Sequence, residues 1–494
     1  MSPGVEYTIG APDYPVLDKF IFSNARVSFI MGPLGSGKTI GAIQRLLRHM
    51  REQSPNALGV RPTRFIAVRN TYPDLTSTTI KDFREVFREL GQMKWGGLEP
   101  PTFHVAFDAQ DGTQVVSEMI FLSLDREDDV RKLRGTQVTG FWLNEVRELV
   151  KPIVDMADMR HGRYPSMAGG GVKCDWHGMI GDSNAMDQDH WYYRMAEENT
   201  PEGWEFYRQD GGLLDAGQQA DGRTLWEPNP QVENLKNLPD EYYTTGQRGK
   251  SDEWIKVNLA NEYGFTVEGK PVHPEYVDHL HCPREDLEVA PDLPLVVGCD
   301  FGRTPAAAIC QYLEPVGRWH VIDELCTEDM SASLFGPALK LYLDRHYPGM
   351  PVQGWGDPAG DKAGQTVEIT PIQILRAAGI PCEPCYSNQP TLRRASVANP
   401  LTRICMDGRP GLLISRKARM VRKGLMGGFC YRRMKVAGSE RYTDEPDKNQ
   451  YSHPTEALEY ALMGGGEGRA AIVPAPHFRD TGPRQEWAIE EPYD

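Results

Sequence analysis

Gly32-Pro33-Leu34-Gly35-Ser36-Gly37-Lys38-Thr39 lies between an apolar run, Val27 to Met31, and a helical pattern from Ile40 to Met50. Strand, glycine-rich loop and helix in that order suit a loop that grips phosphates. Backbone N–H groups of Gly32, Gly35, Ser36 and Gly37 and of the helix start cradle them, Lys38 reaches the terminal ones, and the Thr39 hydroxyl takes a magnesium position. The first half of the chain is therefore expected to be an α/β domain that binds a nucleoside triphosphate.

Composition bounds the rest. A chain of 494 residues, 40% hydrophobic and 25% charged, is expected to form two or three globular domains. It shows no apolar run of membrane-spanning length and no basic-then-apolar start, so no membrane partner and a cytoplasmic location are expected. The nine cysteines are scattered, as reduced thiols would be. Cys382 and Cys385 form a CxxC without a second pair nearby, and His279-Leu280-His281-Cys282 is equally isolated; both read as packing or turn residues before zinc ligands. A net charge of −15 argues against a surface coated in nucleic acid. One segment reverses the sign: Gly408 to Ser439 holds nine Lys or Arg and no Asp or Glu. Met420, Leu425, Met426, Phe429 and Tyr431 interleave with those charges. The pattern suggests an element with one buried side that presents Arg416, Lys417, Arg419, Arg422 and Lys423 to a phosphate backbone.

Downstream of the loop, Phe65–Val68 and Met119–Leu124 read as strands, with a helix between them from about Thr78 to Leu90. A further strand, Val138–Leu143, ends in Asn144-Glu145. An acid at that place is positioned to orient or deprotonate an attacking water. Asn144 stands where an aspartate is usual; its amide can hydrogen-bond metal-bound water but adds no charge. Trp176–Ile180 runs into Gly181-Asp182-Ser183-Asn184, where Ser183 and Asn184 are candidates to sense the γ-phosphate. Arg131-Lys132-Leu133-Arg134-Gly135 and Arg160-His161-Gly162-Arg163 are two candidate sources of a phosphate-stabilising arginine.

From about residue 210 to 264 the sequence turns polar and helix-prone, which suggests a small helical lid, followed by a linker through Gly269-Lys270-Pro271. A second α/β domain follows. Leu295–Gly298 ends in Cys299-Asp300-Phe301-Gly302, Ala306–Tyr312 and Trp319–Leu325 continue as an antiparallel meander, and Val352–Trp355 ends in Gly356-Asp357-Pro358-Ala359-Gly360. Pro454 opens a helix with Glu456 in its first turn. Three carboxylates so placed can hold a pair of magnesium or manganese ions about 4 Å apart for phosphodiester cleavage. Residues 464–494, rich in Gly, Pro and acids, read as a flexible acidic tail.

Taken in order, GPLGSGKT, FWLNE, GDSN with HWYY, CDFG, WGDPAG and SHPTEALEY resemble the large terminase subunit of tailed bacteriophages, the DNA-packaging motor. The resemblance implies a P-loop ATPase core (1–209), a helical lid (210–264), a ribonuclease H-like nuclease domain (265–463) and the tail. It implies that Lys38 and Thr39 bind ATP with magnesium, that Glu145 is the catalytic carboxylate, that Ser183-Asn184 is the coupling motif and that Arg134 is the arginine finger offered to a neighbouring subunit. In the nuclease half it implies Asp300, Asp357 and Glu456 as ligands for two Mg2+ or Mn2+ ions, with His453 beside them. Glu456 stands where family members often have Asp, and Glu459 is the runner-up. The implied partners are double-stranded DNA, a portal protein, a small terminase subunit and further copies in a ring, commonly of five, though the free chain is expected to be a monomer. The implied location is the cytoplasm of an infected bacterium and, transiently, the portal vertex of the procapsid. The alternative is a helicase or repair ATPase with a fused nuclease.

Overall fold

The computed structural model describes residues 9–97, 99–265, 269–302, 304–358, 369–434 and 441–467. Ala359-Gly360, Lys435 of the basic block and residues 468–494 of the expected tail lie outside them. The chain divides into two compact units, Met1–Thr266 and Val267–Asp494. Among the described residues no helix is long and apolar enough to cross a membrane.

In the first unit, β1 (Val27–Met31), β2 (Val60–Arg69), β3 (Gly91–Lys94), β4 (Thr102–Asp108), β5 (Gln114–Ser123), β6 (Gly140–Asn144), β7 (Gly178–Ser183) and β8 (Trp204–Arg208) form one sheet in the order β3-β4-β5-β2-β6-β7-β1-β8. Every neighbouring pair from β5 to β8 is parallel, and β4 and β3 extend the edge antiparallel. Parallel strands covered on both faces read as unbroken apolar runs, and every residue of β1, β6 and β7 is buried. Helices Pro15–Phe22, Lys38–Glu52 and Ile80–Phe87 cover one face through Phe20, Ile43, Leu46, Phe83 and Phe87. Lys151–Asp158 helps cover the other, where Ile153 and Val154 join Phe29 and Leu143. Two of the inner strands run longer than their apolar centres suggest: β2 and β5 pair from Val60↔Gln114 to Arg69↔Ser123, because backbone pairing continues through polar residues.

The expected helical lid is corrected. Residues 210–264 begin with a hairpin, β9 (Leu213–Gln218) and β10 (Thr224–Pro228), and only then form the short helices Tyr242–Gly246 and Asp252–Asn258. The Asp221-Gly222 turn, with Gly222 at φ 88°, is a hairpin signal. It is weakly flanked, since Leu213 and Trp226 are the buried residues of the two strands. A small separate core of Leu213, Trp226, Val232, Tyr243, Ile255 and Leu259 holds the lid together, and Leu34 of the phosphate loop packs against it.

In the second unit the expected linker is also corrected: Lys270–Pro271 (β11) pairs antiparallel with a later strand, Cys430–Tyr431. The main sheet contains β12 (Leu295–Asp300), β13 (Ala306–Leu313), β14 (Arg318–Cys326), β15 (Val352–Gly356), β16 (Cys382–Pro384) and β17 (Leu412–Ile414), in the order β16-β15-β12-β13-β14-β17. The meander β12-β13-β14 is antiparallel, and β15, β16 and β17 add parallel. Alternation along β12 turns Leu295, Val297 and Cys299 to a core containing Phe335 and Leu339. Gly298 and Asp300 then share the opposite face, covered by helix Ser452–Gly464. A Cβ on Gly298 would lie 1.9 Å from the Ala457 carbonyl oxygen, so the helix rides directly on the strand. The start of the expected tail is corrected as well: Gly464 ends that helix, and Glu467 accepts hydrogen bonds from Trp319 Nε1 at 3.0 Å and Arg403 Nη2 at 2.8 Å.

Candidate functional site

The carboxyl ends of β1, β6 and β7 are neighbours, the edge at which open parallel sheets bind ligands. The loop leaving β1 carries Gly35 and Gly37, both at φ +81°, a conformation that disfavours side chains, and helix Lys38–Glu52 starts at its end. Lys38 is buried with its ammonium donating to the Pro33 carbonyl at 3.2 Å. Burial lowers its pKa, against the pull of Glu145 and Asp182. Ser36 Oγ is buried without a hydrogen-bond partner. A curled loop with a tethered lysine and an unpartnered hydroxyl fits a phosphate chain.

Glu145, directly after β6, has φ 53° and ψ 63°, a strained setting for a residue with a Cβ. Its Oε2 accepts no hydrogen bond, and Arg147 Nε stands 3.5 Å away. Asn144 is not free to face a ligand: its Oδ1 accepts from Thr79 Oγ1 at 2.6 Å and its Nδ2 donates to Asp182 Oδ2 at 3.0 Å. Asp182 itself is fully buried and accepts from Trp142 Nε1 at 2.6 Å and Thr39 Oγ1 at 2.9 Å. Burial pushes its carboxyl up to about 6, assisted by Glu145 and opposed by Trp142, Lys38 and Thr39. Nothing in the spacing of Gly181-Asp182-Ser183-Asn184 marks Asp182 above its neighbours.

Ser183 Oγ accepts from the Arg147 amide at 3.1 Å, and Asn184 Nδ2 donates to Asn258 Oδ1 at 3.4 Å. Asn258, in the lid helix, also receives Arg147 Nη1 at 3.3 Å, and its carbonyl accepts from the Leu34 amide at 2.8 Å. Tyr243 Oη, Asn234 Nδ2 and Gln209 Nε2 donate to the carbonyls of Leu34, Gly35 and Ser36 at 2.8, 2.7 and 3.0 Å. The loop is therefore held from the lid and from the end of β8 by residues no spacing motif marks. Arg134 is exposed at the end of the short helix Val130–Leu133, as is Arg163, while Arg160 is half-buried.

In the second unit, Asp300, His453 and Glu456 each offer a ligand atom, all within 4.8 Å of one another. His453 Nδ1 lies 2.6 Å from Asp300 Oδ2. Burial raises the Asp300 pKa, and His453 opposes that rise. Glu456 is buried and accepts from Arg393 Nη2 at 3.1 Å and Lys448 Nζ at 2.6 Å. Asp357 stands half-buried at the adjacent strand end, one residue beyond Gly356, which pairs with Cys299; it is outside the tight group, whose third member is His453. Glu459 is engaged elsewhere, with His273 Nε2 at 3.1 Å and Arg393 Nε at 3.4 Å. Two carboxylates and an imidazole at this spacing fit a divalent cation.

The basic block divides. Arg416, Lys417 and Arg419 are exposed. Arg422 is spent on a two-pronged pair with Asp278, at 2.7 and 2.6 Å, which corrects its place in a phosphate-binding set. The cause is local: Val421 and Leu425 face the core, which turns Arg422 inward toward Asp278. Lys423 is half-buried. Cys382 and Cys385 are buried thiols, and Cys385 packs with Tyr460 and Met463.

No protein-family model and no characterised protein matches this sequence. Among solved structures the chain is similar to the large terminase of a thermophilic bacteriophage, at 14% identity over 91% of this chain and 98% of that one, with a TM-score of 0.37. The same phage protein in complex with ATP-γ-S gives 14% identity, 91% and 98% coverage and a TM-score of 0.36. The large terminase of bacteriophage HK97 gives 10% identity, 93% and 96% coverage and a TM-score of 0.37.

Proposed function

We propose that this chain is an ATP-driven motor that moves viral double-stranded DNA into a procapsid and cuts it with a metal-dependent nuclease, the work of a large terminase subunit. The observation that carries the reading is the presence, in one chain, of a phosphate loop flanked by Glu145 and of a second unit in which Asp300, His453 and Glu456 converge.

In this reading Lys38 and the loop amides bind the β- and γ-phosphates of ATP, and Glu145 orients the attacking water and takes its proton. The magnesium held at Thr39 would supply countercharge to those phosphates, and ions held at Asp300, Glu456 and His453, with Asp357 at the adjacent strand end, would activate water and steady the leaving oxygen. Arg134, exposed, serves the site of a neighbouring copy. Loss of the γ-phosphate is felt by Ser183 and Asn184 and passes through Asn258 to the lid. The proposed partners are a portal, a small subunit, a ring of like chains and double-stranded DNA, the last gripped through its phosphates and with indifference to sequence.

The test separates the two sites. Lys38→Ala or Glu145→Ala is expected to abolish ATP hydrolysis and DNA packaging while manganese-dependent nicking of plasmid persists. Asp300→Ala is expected to do the reverse for nicking. Full-rate nicking by Asp300→Ala would remove the nuclease assignment.

A further inference from the structure

We propose that Asp182, on β7, supplies the negative charge beside Thr39 that a phosphate-loop ATPase requires and that Asn144, at the usual strand end, cannot carry. The inference rests on the ATPase reading above and adds to it a residue that no spacing pattern marks.

β7 lies between β6 and β1, and Asp182 pairs in register with Asn144 on one side and Ile30 on the other. Asp182 thus stands one strand, about 4.8 Å, nearer the phosphate loop than Asn144 does. The Thr39 hydroxyl, which is the loop's magnesium position, already donates to Asp182 Oδ2 at 2.9 Å. Trp142 Nε1 fixes Oδ1 at 2.6 Å and Asn144 Nδ2 fixes Oδ2 at 3.0 Å, so both oxygens are oriented by donors from β6. Asn144 is in turn held by Thr79. Outer hydrogen bonds of this kind set the direction and basicity of a group that serves a metal.

The same geometry accounts for the asparagine. An aspartate at 144 would place a second carboxylate in hydrogen-bond contact with Asp182, and like charges at that range oppose ionisation of both. An acid at 182 and an amide at 144 are one arrangement: the charge has moved to the adjacent strand, and the amide left behind holds it in place. Asp182 acts through Thr39 and the ion's water shell and is a positioning residue.

The experiment uses the full chain as wild type, Asp182→Asn, and the exchange Asn144→Asp with Asp182→Asn. The probe is ATP bearing a fluorescent ribose label, and its Kd is read by anisotropy in EDTA and in magnesium. The gain in affinity given by magnesium is expected to shrink roughly tenfold or more in Asp182→Asn and to recover in the exchange variant. A folded Asp182→Asn that keeps the full magnesium gain overturns the proposal. If that variant does not fold, the wild-type crystal structure with ADP, magnesium and beryllium fluoride decides. An Asp182 carboxylate within about 5 Å of the ion, one water away, supports the proposal, and a carboxylate turned from it overturns it. Wild type that binds the label in neither buffer would bring down the ATPase reading itself, and this assignment with it.

Discussion

Glu324 shows how much one charge can weigh. Its carboxylate accepts from the Met420 and Val421 amides at 2.6 and 2.8 Å, at the start of the short helix Arg419–Lys423. Burial still dominates and pushes its carboxyl from the ordinary 4.5 up to about 7; Asp323 adds to the rise, while the two amides and Arg419 oppose it. For an acid whose folded pKa is raised, the folded state holds more protons than the unfolded one between those values, so stability falls as pH rises through that window. The expected loss from pH 4.5 to 7 is on the order of 2 kcal/mol. Glu324→Gln should flatten that part of the curve of melting temperature against pH, and an unaltered slope would reassign it to other groups. The residues legible in the sequence were those fixed by contiguous spacing: Gly35 to Thr39 in one loop, and Glu145 at the end of an apolar run. Asp182, Arg147 and Asn258 were not, because their partners come from neighbouring strands and the lid, and one-dimensional spacing carries no strand order.

Elements decide whether the second site forms. Helix Ser452–Gly464 brings His453 and Glu456 to Asp300 only because Gly298 lets it touch β12. Gly298→Ala would drive a Cβ into the Ala457 carbonyl, and the helix would have to lift. The expected cost is about 2–3 kcal/mol of stability, with loss of manganese-dependent nicking; a crystal structure or a melting curve close to wild type would contradict it. Arg416, Lys417 and Arg419 are exposed, so replacing all three with Ala should weaken binding alike across DNA sequences. It should also reduce the slope of log K against log salt by about 2–3. Arg422→Ala should instead destabilise the fold, since it leaves Asp278 without its ion pair. From the sequence this block read as one amphipathic element; the structure breaks it into a strand, a turn, the Arg419–Lys423 helix and β-pairing at Cys430–Tyr431. The lid hairpin was missed for a related reason. Its strands bury too few side chains to print a period of two, whereas β1, β6 and β7, buried on both faces, announce themselves.

At the scale of the molecule, each unit carries its own hydrophobic clusters. Those built on Phe20, Phe83 and Trp142 and on Phe29 and Leu143 lie within residues 1–266, and those built on Trp319, Leu458 and Phe335 lie within 267–494. Each proposed site is completed from within one unit: Lys38, Glu145, Asp182 and Asn258 in the first, Asp300, His453 and Glu456 in the second. Units so built are expected to fold independently, because burial of apolar area within each offsets the entropy of its own chain. Residues 1–266 expressed alone should unfold cooperatively and bind labelled ATP with a magnesium-dependent gain. Residues 267–494 alone should nick plasmid in manganese, and more weakly as salt rises, since the whole chain carries a net charge of −15 and the proposed hold on DNA rests on local basic groups. Packaging, which in the proposed reading requires hydrolysis in one unit to move DNA held by the whole chain, should be absent from both fragments and from their mixture. A mixture that packages DNA at the rate of the intact chain would mean that the two activities are coupled by association alone.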